Sequence, residues 1–126
     1  MNEKRLIAEL HKVLQEINVH GSEYSVKRKE LDKYKEPTGE EIQVANIKGL
    51  YHITKGYVTE SVQDGTRVHL KGQPMLLCEY EKANVIQTGD FIEINKNRYK
   101  VIDKNNIQEY NIVIDISMEL MLNGKN

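Results

Sequence analysis

The stretch at residues 89–120, GDFIEINKNRYKVIDKNNIQEYNIVIDISMEL, decides the fold. Apolar and polar residues alternate from Phe91 to Ile94, Asn95, Lys96 and Asn97 supply a tight polar turn, and residues 98–102 return. The segment DKNNIQE at 103–109 reads as a second turn. Beyond it, Ile112, Ile114, Ile116, Met118 and Leu120 fall on one side of a strand and Val113, Asp115, Ser117 and Glu119 on the other. Such strict alternation predicts one buried and one wet face, as in an antiparallel sheet or a small barrel. These residues build a core, so any chemistry has to be sought elsewhere.

Upstream the text loosens. TKGYVTESVQDGTRVHLKG at 54–72 holds three glycines, an Asp-Gly pair and scattered charge, with short β-favouring pieces at 57–58 and 67–70. It can form a long hairpin around Asp64-Gly65 or a long central loop. EIQVANIKGLYHI at 41–53 reads as a strand with Ile42 and Val44 on one side, and EYSVKRKEL at 23–31 as a more polar one. YKEPTGEE at 34–41 punctuates them, with Pro37 and Gly39 as a turn.

At the front, Leu6, Ile7, Leu10, Val13, Leu14 and Ile17 recur at the spacing of one helical face, against Glu3, Lys4, Glu9, Lys12 and Glu16. This predicts an amphipathic helix over 3–17, ended by Gly21 in a left-handed turn. The whole therefore reads as one domain over 1–126, mainly β: a helix, a small antiparallel barrel or sandwich over 23–120, and a tail over 121–126.

Composition bounds the function. A chain of 126 residues, 39% hydrophobic and 29% charged, has the size of one ordinary core and no apolar run long enough to cross a bilayer. The start MNEKRLIAEL lacks the apolar segment of a signal peptide, which leads to the expectation of an intracellular protein. The net charge of −1 lacks the concentrated basic surface of a dedicated nucleic-acid reader.

No candidate for catalysis or metal binding gathers support. Cys78 has no cysteine-enzyme pattern around it and reads as a small hydrophobe, and as the single cysteine of the chain it excludes an internal disulfide. His11, His20, His52 and His69 lie too far apart to pair on one metal, and Asp103, Asn105, Asn106 and Glu109 lack the glycine and terminal glutamate of a calcium loop. The glycines form no phosphate loop. The basic run KRKELDKYK at 27–35 is diluted by Glu30, Asp32 and Glu36, and reads as a solvated edge strand. No enzyme, metal or cofactor is expected.

The order YKEPTGE (34–40), VANIKGLYH (44–52), a polar loop, GDFIEINKNRYKV (89–101) and NIVIDISMEL (111–120) resembles small head-completion, or head-tail connector, proteins of tailed bacteriophages and prophages, across roughly residues 24–120. The resemblance implies a stopper-type subunit: a homo-oligomeric ring beneath the portal and adaptor that closes the DNA-filled head and docks the tail. It implies a virion protein made in the host bacterial cytoplasm, with transient contact to double-stranded DNA and none to a membrane. The segment that projects into the channel of such rings corresponds here to 54–72, which makes Thr54, Lys55, Gly56, Tyr57, Asp64, Gly65, Arg67 and His69 the candidate gate. The helix is longer than the minimal stopper fold implies. Its stripe of Leu6, Leu10, Val13, Leu14 and Ile17 needs a packing surface, on its own barrel or on a neighbouring subunit.

Three other readings stay open. A tail-completion protein fits the same pattern. An oligonucleotide-binding barrel would need some of the seven tyrosines on an exposed sheet face beside a basic groove. An enzyme would need an unrecognised site around Cys78 or His52.

Overall fold

Period-two patterning becomes one continuous antiparallel sheet. The computed structural model describes residues 3–62 and 65–121, apart from the side chains of 56–62, 66–71 and 108. Helix α1 (Glu3–His20) leads into β1 (Ser22–Leu31), β2 (Pro37–Val62) and β3 (Gly65–Glu79). A single turn of helix, α2 (Tyr80–Ala83), precedes β4 (Phe91–Ile94), β5 (Asn97–Asn106), a 3-10 turn at Ile107–Glu109 and β6 (Val113–Met121). The strands close in the order β1-β2-β3-β6-β5-β4. Closure is ring-like, not that of a regular barrel, because β1 meets β4 only at Val26↔Ile92 and Lys27↔Phe91.

The interior is filled by Val26, Ile47, Leu76, Cys78, Ile92, Ile94, Val101, Ile114, Ile116 and Met118, with Ala83 and Ile86 contributing from the β3–β4 connection. Each large aliphatic side chain buried in this way contributes roughly 1.5–3 kcal/mol. Three of the five residues assigned to the inner side of the last strand, Ile114, Ile116 and Met118, do line it. Leu120, at the rim, is 41% exposed, and Ile112 belongs to a second cluster.

That second cluster lies on the outside. Leu10 and Ile17 of α1 bury against Val113, with Val13, Leu14, Leu50, Leu77, Tyr110 and Ile112 packed around them. The helix therefore rests on its own barrel, and Val113 is fully buried although alternation assigns it to the wet face. Leu6 is half-buried. The helix also runs three residues beyond the expected end. Gly21 follows it for lack of room and not for a left-handed turn, since its φ is not among the positive ones. Its N–H donates to the Ile17 carbonyl at 2.8 Å, and a Cβ there would stand 2.4 Å from that oxygen.

Bulges account for the other departures. Val26 faces Ala45 while Lys27 faces Gln43, so Val44 is an extra residue on β2. Val44 and Ala45 both reach the core, whereas Ile42, expected to share Val44's side, is 45% exposed. On β5 the pairs Val101↔Met118 and Asp103↔Ser117 leave Ile102 unpaired and 40% exposed. The strand then continues through Asn106, so 103–106 is strand and the expected turn is confined to the residues after it. The turn between β1 and β2 spans residues 32–36, with Lys35 at φ 64°. Pro37 already belongs to β2, and Gly39 (φ 91°) lets β2 bulge between the pairs Lys29↔Glu41 and Leu31↔Pro37.

Candidate functional site

The most distinctive feature is where β2 and β3 leave the barrel. β1 accompanies β2 only as far as Gly49, opposite Ser22, and β6 accompanies β3 only from Met75, opposite Ser117. From Thr54↔Gln73 out to Val62↔Gly65 the two strands pair solely with each other. The hairpin alternative for 54–72 is thus the one the backbone adopts. It forms a two-stranded arm whose reach, at about 3.3 Å per residue, is roughly 30 Å.

Thr54, Lys55, Gly56, Tyr57, Gly65, Arg67 and His69 all lie along this arm, while Asp64 lies outside the described residues. Gly65, at φ 133°, begins the returning strand in a backbone conformation that a side chain would strain.

The arm is fastened at its root. Pro74 has no N–H with which to continue a ladder towards β6. The Gln73 side-chain amide takes over, donating to the carbonyls of Met118 at 2.6 Å and Pro74 at 3.2 Å. Just inside the barrel the Tyr51 and Tyr99 hydroxyls sit 3.4 Å apart, their rings tilted at 50° with centroids 6.0 Å apart. The Tyr99 hydroxyl, aided by burial, pushes the Tyr51 phenol up to about 12. At the root, a Cβ on Gly72 would meet Ile53 at 3.0 Å. Among the described residues, the outer edges of this ribbon pair with no further strand, and exposed strand edges are places where another strand can add.

The residues weighed for catalysis are not brought together in a reactive arrangement. Cys78 points into the barrel, its Sγ 3.7 Å from the Leu76 carbonyl. Burial first, and then the charge of Asp115, push its thiol up to about 12, so the nucleophilic thiolate is disfavoured. His52 lies on the outer face, its Nε2 2.9 Å from Asp115 Oδ1, a pair that links β2 to β6 across β3. On β3 Met75 stands opposite His52 and Leu77 opposite Asp115, so the pair crosses that strand diagonally. Among the described residues no group of three or more His, Cys, Asp or Glu gathers at metal-binding distance. Asn106 instead braces the β5–β6 turn, exchanging two hydrogen bonds with Asn111 at 2.7 and 3.1 Å.

Tyrosines are spent inside. Tyr24, Tyr51, Tyr80 and Tyr99 pack on the barrel core and Tyr110 on the helix cluster, which leaves Tyr34 alone exposed among the tyrosine side chains described. The basic run does not form a continuous groove either. Arg28 is committed to Asp90, and Asp32 is folded into its own turn.

Sequence reasoning missed two constellations. Asp90 is buried and accepts from Arg28 and from the Gln87 N–H, which ties β1 to the turn before β4. Arg98 stacks on Phe91 at 4.0 Å from the ring centroid and pairs with Glu41, joining β5 to β2 across the same seam. The only sequence signal for the first was the Gly89-Asp90 pair before β4. Neither partner is close enough in sequence for periodicity to find it. No helix among the described residues is long and apolar enough to cross a membrane. Neither a protein-family model nor any curated protein matches the chain.

Proposed function

We propose that the chain is a structural subunit of a tailed-phage or prophage head-tail connector, a stopper-type ring in which each copy carries its β2–β3 arm towards the channel. The observation that supports this reading most is the arm, which leaves a self-contained barrel at the segment the resemblance assigns to the gate. A two-stranded ribbon alone is marginal in water, so it gains most where copies gather and each exposed edge can add to a neighbour. Many weak pairings made together would close a channel cooperatively and still reopen.

The small net charge suits a conduit, because each lysine or arginine paired with a phosphate would add salt-dependent affinity and slow the passage of DNA. The partners in this reading are further copies of the chain, the portal or adaptor above and the tail below, with the virion as its destination. A tail-completion role uses the same parts and differs in the stage at which the subunit joins. The oligonucleotide-binding alternative loses support from the tyrosines, which are mostly spent in the two cores.

The test is deletion of the gene in a host that produces the particles, followed by electron microscopy and mass spectrometry. DNA-filled heads without tails, and the chain present in parental particles, are the expected result. Normal tailed particles from the deletion strain would overturn the reading.

A further inference from the structure

Strands β3 and β6 both run on past the point where they stop pairing. Their ladder ends at Met75↔Ser117, yet β3 reaches outward to Gly65 and β6 to Met121. Between the two departing edges lies a cleft of about 370 Å³, lined by Gly72, Gln73, Pro74, Met118, Leu120 and Ile102, among others. The N–H and C=O groups of successive strand residues point alternately to the neighbours on either side. Just past β3 the Tyr80 N–H donates to the Ile112 carbonyl at 3.1 Å, and no register shift interrupts β3 between there and the arm, so Cys78, Leu76, Pro74 and Gly72 turn their backbone groups towards β6. On β5 the Val101 N–H donates to the Asp90 carbonyl and the Val101 carbonyl accepts from the Gly89 N–H, each at 2.8 Å, so the groups of Lys100 meet Glu119 and those of Met118 and Leu120 face β3. The register of the ladder, carried on, sets Pro74 against Met118 and Gly72 against Leu120.

We propose that the arm root is a clasp: in a second conformation Gly72 pairs with Leu120, the cleft closes and the arm swings onto β6. Pro74 is what parts the strands in the conformation described above. It stands where the ladder needs an N–H for the Met118 carbonyl, and the Gln73 side-chain amide supplies one from the side, bonded to the carbonyls of both Met118 and Pro74. Beyond this one blocked step, Gly72 and Leu120 each bring an N–H and a C=O to the cleft, and closing lets them exchange two hydrogen bonds. Closing also covers Leu120 and Ile102, which are 41% and 40% exposed. The two edges are tethered by the ladder they share, so they meet at a high effective concentration and already in register. The connector reading enters only in what the swing is for, which there is to set whether the arm reaches into the channel.

Nuclear magnetic resonance on the full chain in solution tests this. In the parent, relaxation dispersion is expected at the Gly72 and Leu120 amides and not at those of Ile92 or Ile116. Pro74→Val restores the N–H in a strand-favouring residue. It is expected to remove the dispersion, to slow hydrogen exchange at both amides about tenfold, and to bring the α protons of Gln73 and Glu119 close enough for a cross-peak. Pro74→Ala supplies the same N–H and carries the test if valine disturbs the fold. Parent amides without dispersion, or unchanged exchange in a variant that melts like the parent, overturn the clasp. Protection of Leu120 that rises with chain concentration also overturns it, and assigns that edge to a second copy. None of these measurements involves particles, so the clasp can fail for a chain found in tailed phage and hold for a chain absent from them.

Discussion

Arg28 grips both carboxylate oxygens of Asp90, at 2.8 and 2.9 Å, and so closes the ring of strands at the seam where backbone pairing is shortest. The Asp90 carboxylate is 2% exposed and the Arg28 side chain 31%. A carboxylate buried without a partner would be costly, and the Arg28 guanidinium and the Gln87 N–H supply its partners.

Asp90→Ala is therefore expected to destabilise the domain by about 2–4 kcal/mol, towards the lower end because Arg28 can still reach water. Urea unfolding of Asp90→Ala and of the Arg28→Met, Asp90→Ala double variant measures it. The double variant is expected to lose less than the two single losses added together. A cost for Asp90→Ala within error of zero would mean that the backbone seam holds without the pair.

Val113 and Ile114 are neighbours that face opposite ways, and both are buried. Aspartate at either position buries an unpaired charge, at a cost of several kcal/mol. Val113→Asp is expected to be as damaging as Ile114→Asp, while Glu119→Ser, on the exposed part of the strand, leaves the melting temperature nearly unchanged. If Val113→Asp melts like the parent chain, the helix does not cover this face.

Much of the barrel was legible because alternation records burial directly, as at Ile114, Ile116 and Met118. Alternation failed where a second layer covers the outer face. Val113, Leu77 and Leu50 are apolar at outward positions, and they are the places where α1 lies on the sheet. It failed again at the extra residues Val44 and Ile102, since a bulge changes the register without leaving a compositional mark. In the candidate site, the arm's position was readable from Asp64-Gly65 and its flanking β pieces. The Gln73 bridge to Met118 and the Arg28–Asp90 pair join residues 45 and 62 positions apart, and nothing local announces them.

Cys78 and Tyr51 give the stability a pH dependence at the alkaline end. Both groups are pushed up to about 12 in the folded chain, from ordinary values of 9.0 and 10.0, so between those limits the unfolded chain releases protons that the folded one retains. Stability should then be unaffected by these groups below about pH 9 and fall as the pH rises towards 12. The Cys78→Ala, Tyr51→Phe double variant should show a shallower decline in urea midpoints over that range. An identical slope in variant and parent would contradict the assignment.

Gly21 is expected to resist replacement. A methyl group there would stand 2.4 Å from the Ile17 carbonyl oxygen and 3.0 Å from that of Gly49, both backbone atoms with little room to move. Gly21→Ala should cost about 1–3 kcal/mol by thermal unfolding, as overpacked sites do. A neutral effect would show that the α1–β1 junction is slack.

The account's central claim is that the barrel is the scaffold and the arm is the working part. A variant in which residues 56–71 are replaced by Asn-Gly closes Lys55 and Gly72 with a two-residue hairpin turn and leaves the Gln73 bridge in place. The deciding measurement is the fraction of DNA-filled heads that carry tails in electron micrographs of particles assembled with this variant in place of the parent chain. The account predicts a chain that folds and melts like the parent but yields heads that leak DNA or stay tailless. Tailed particles at the parental frequency, or a variant that no longer folds, would contradict it.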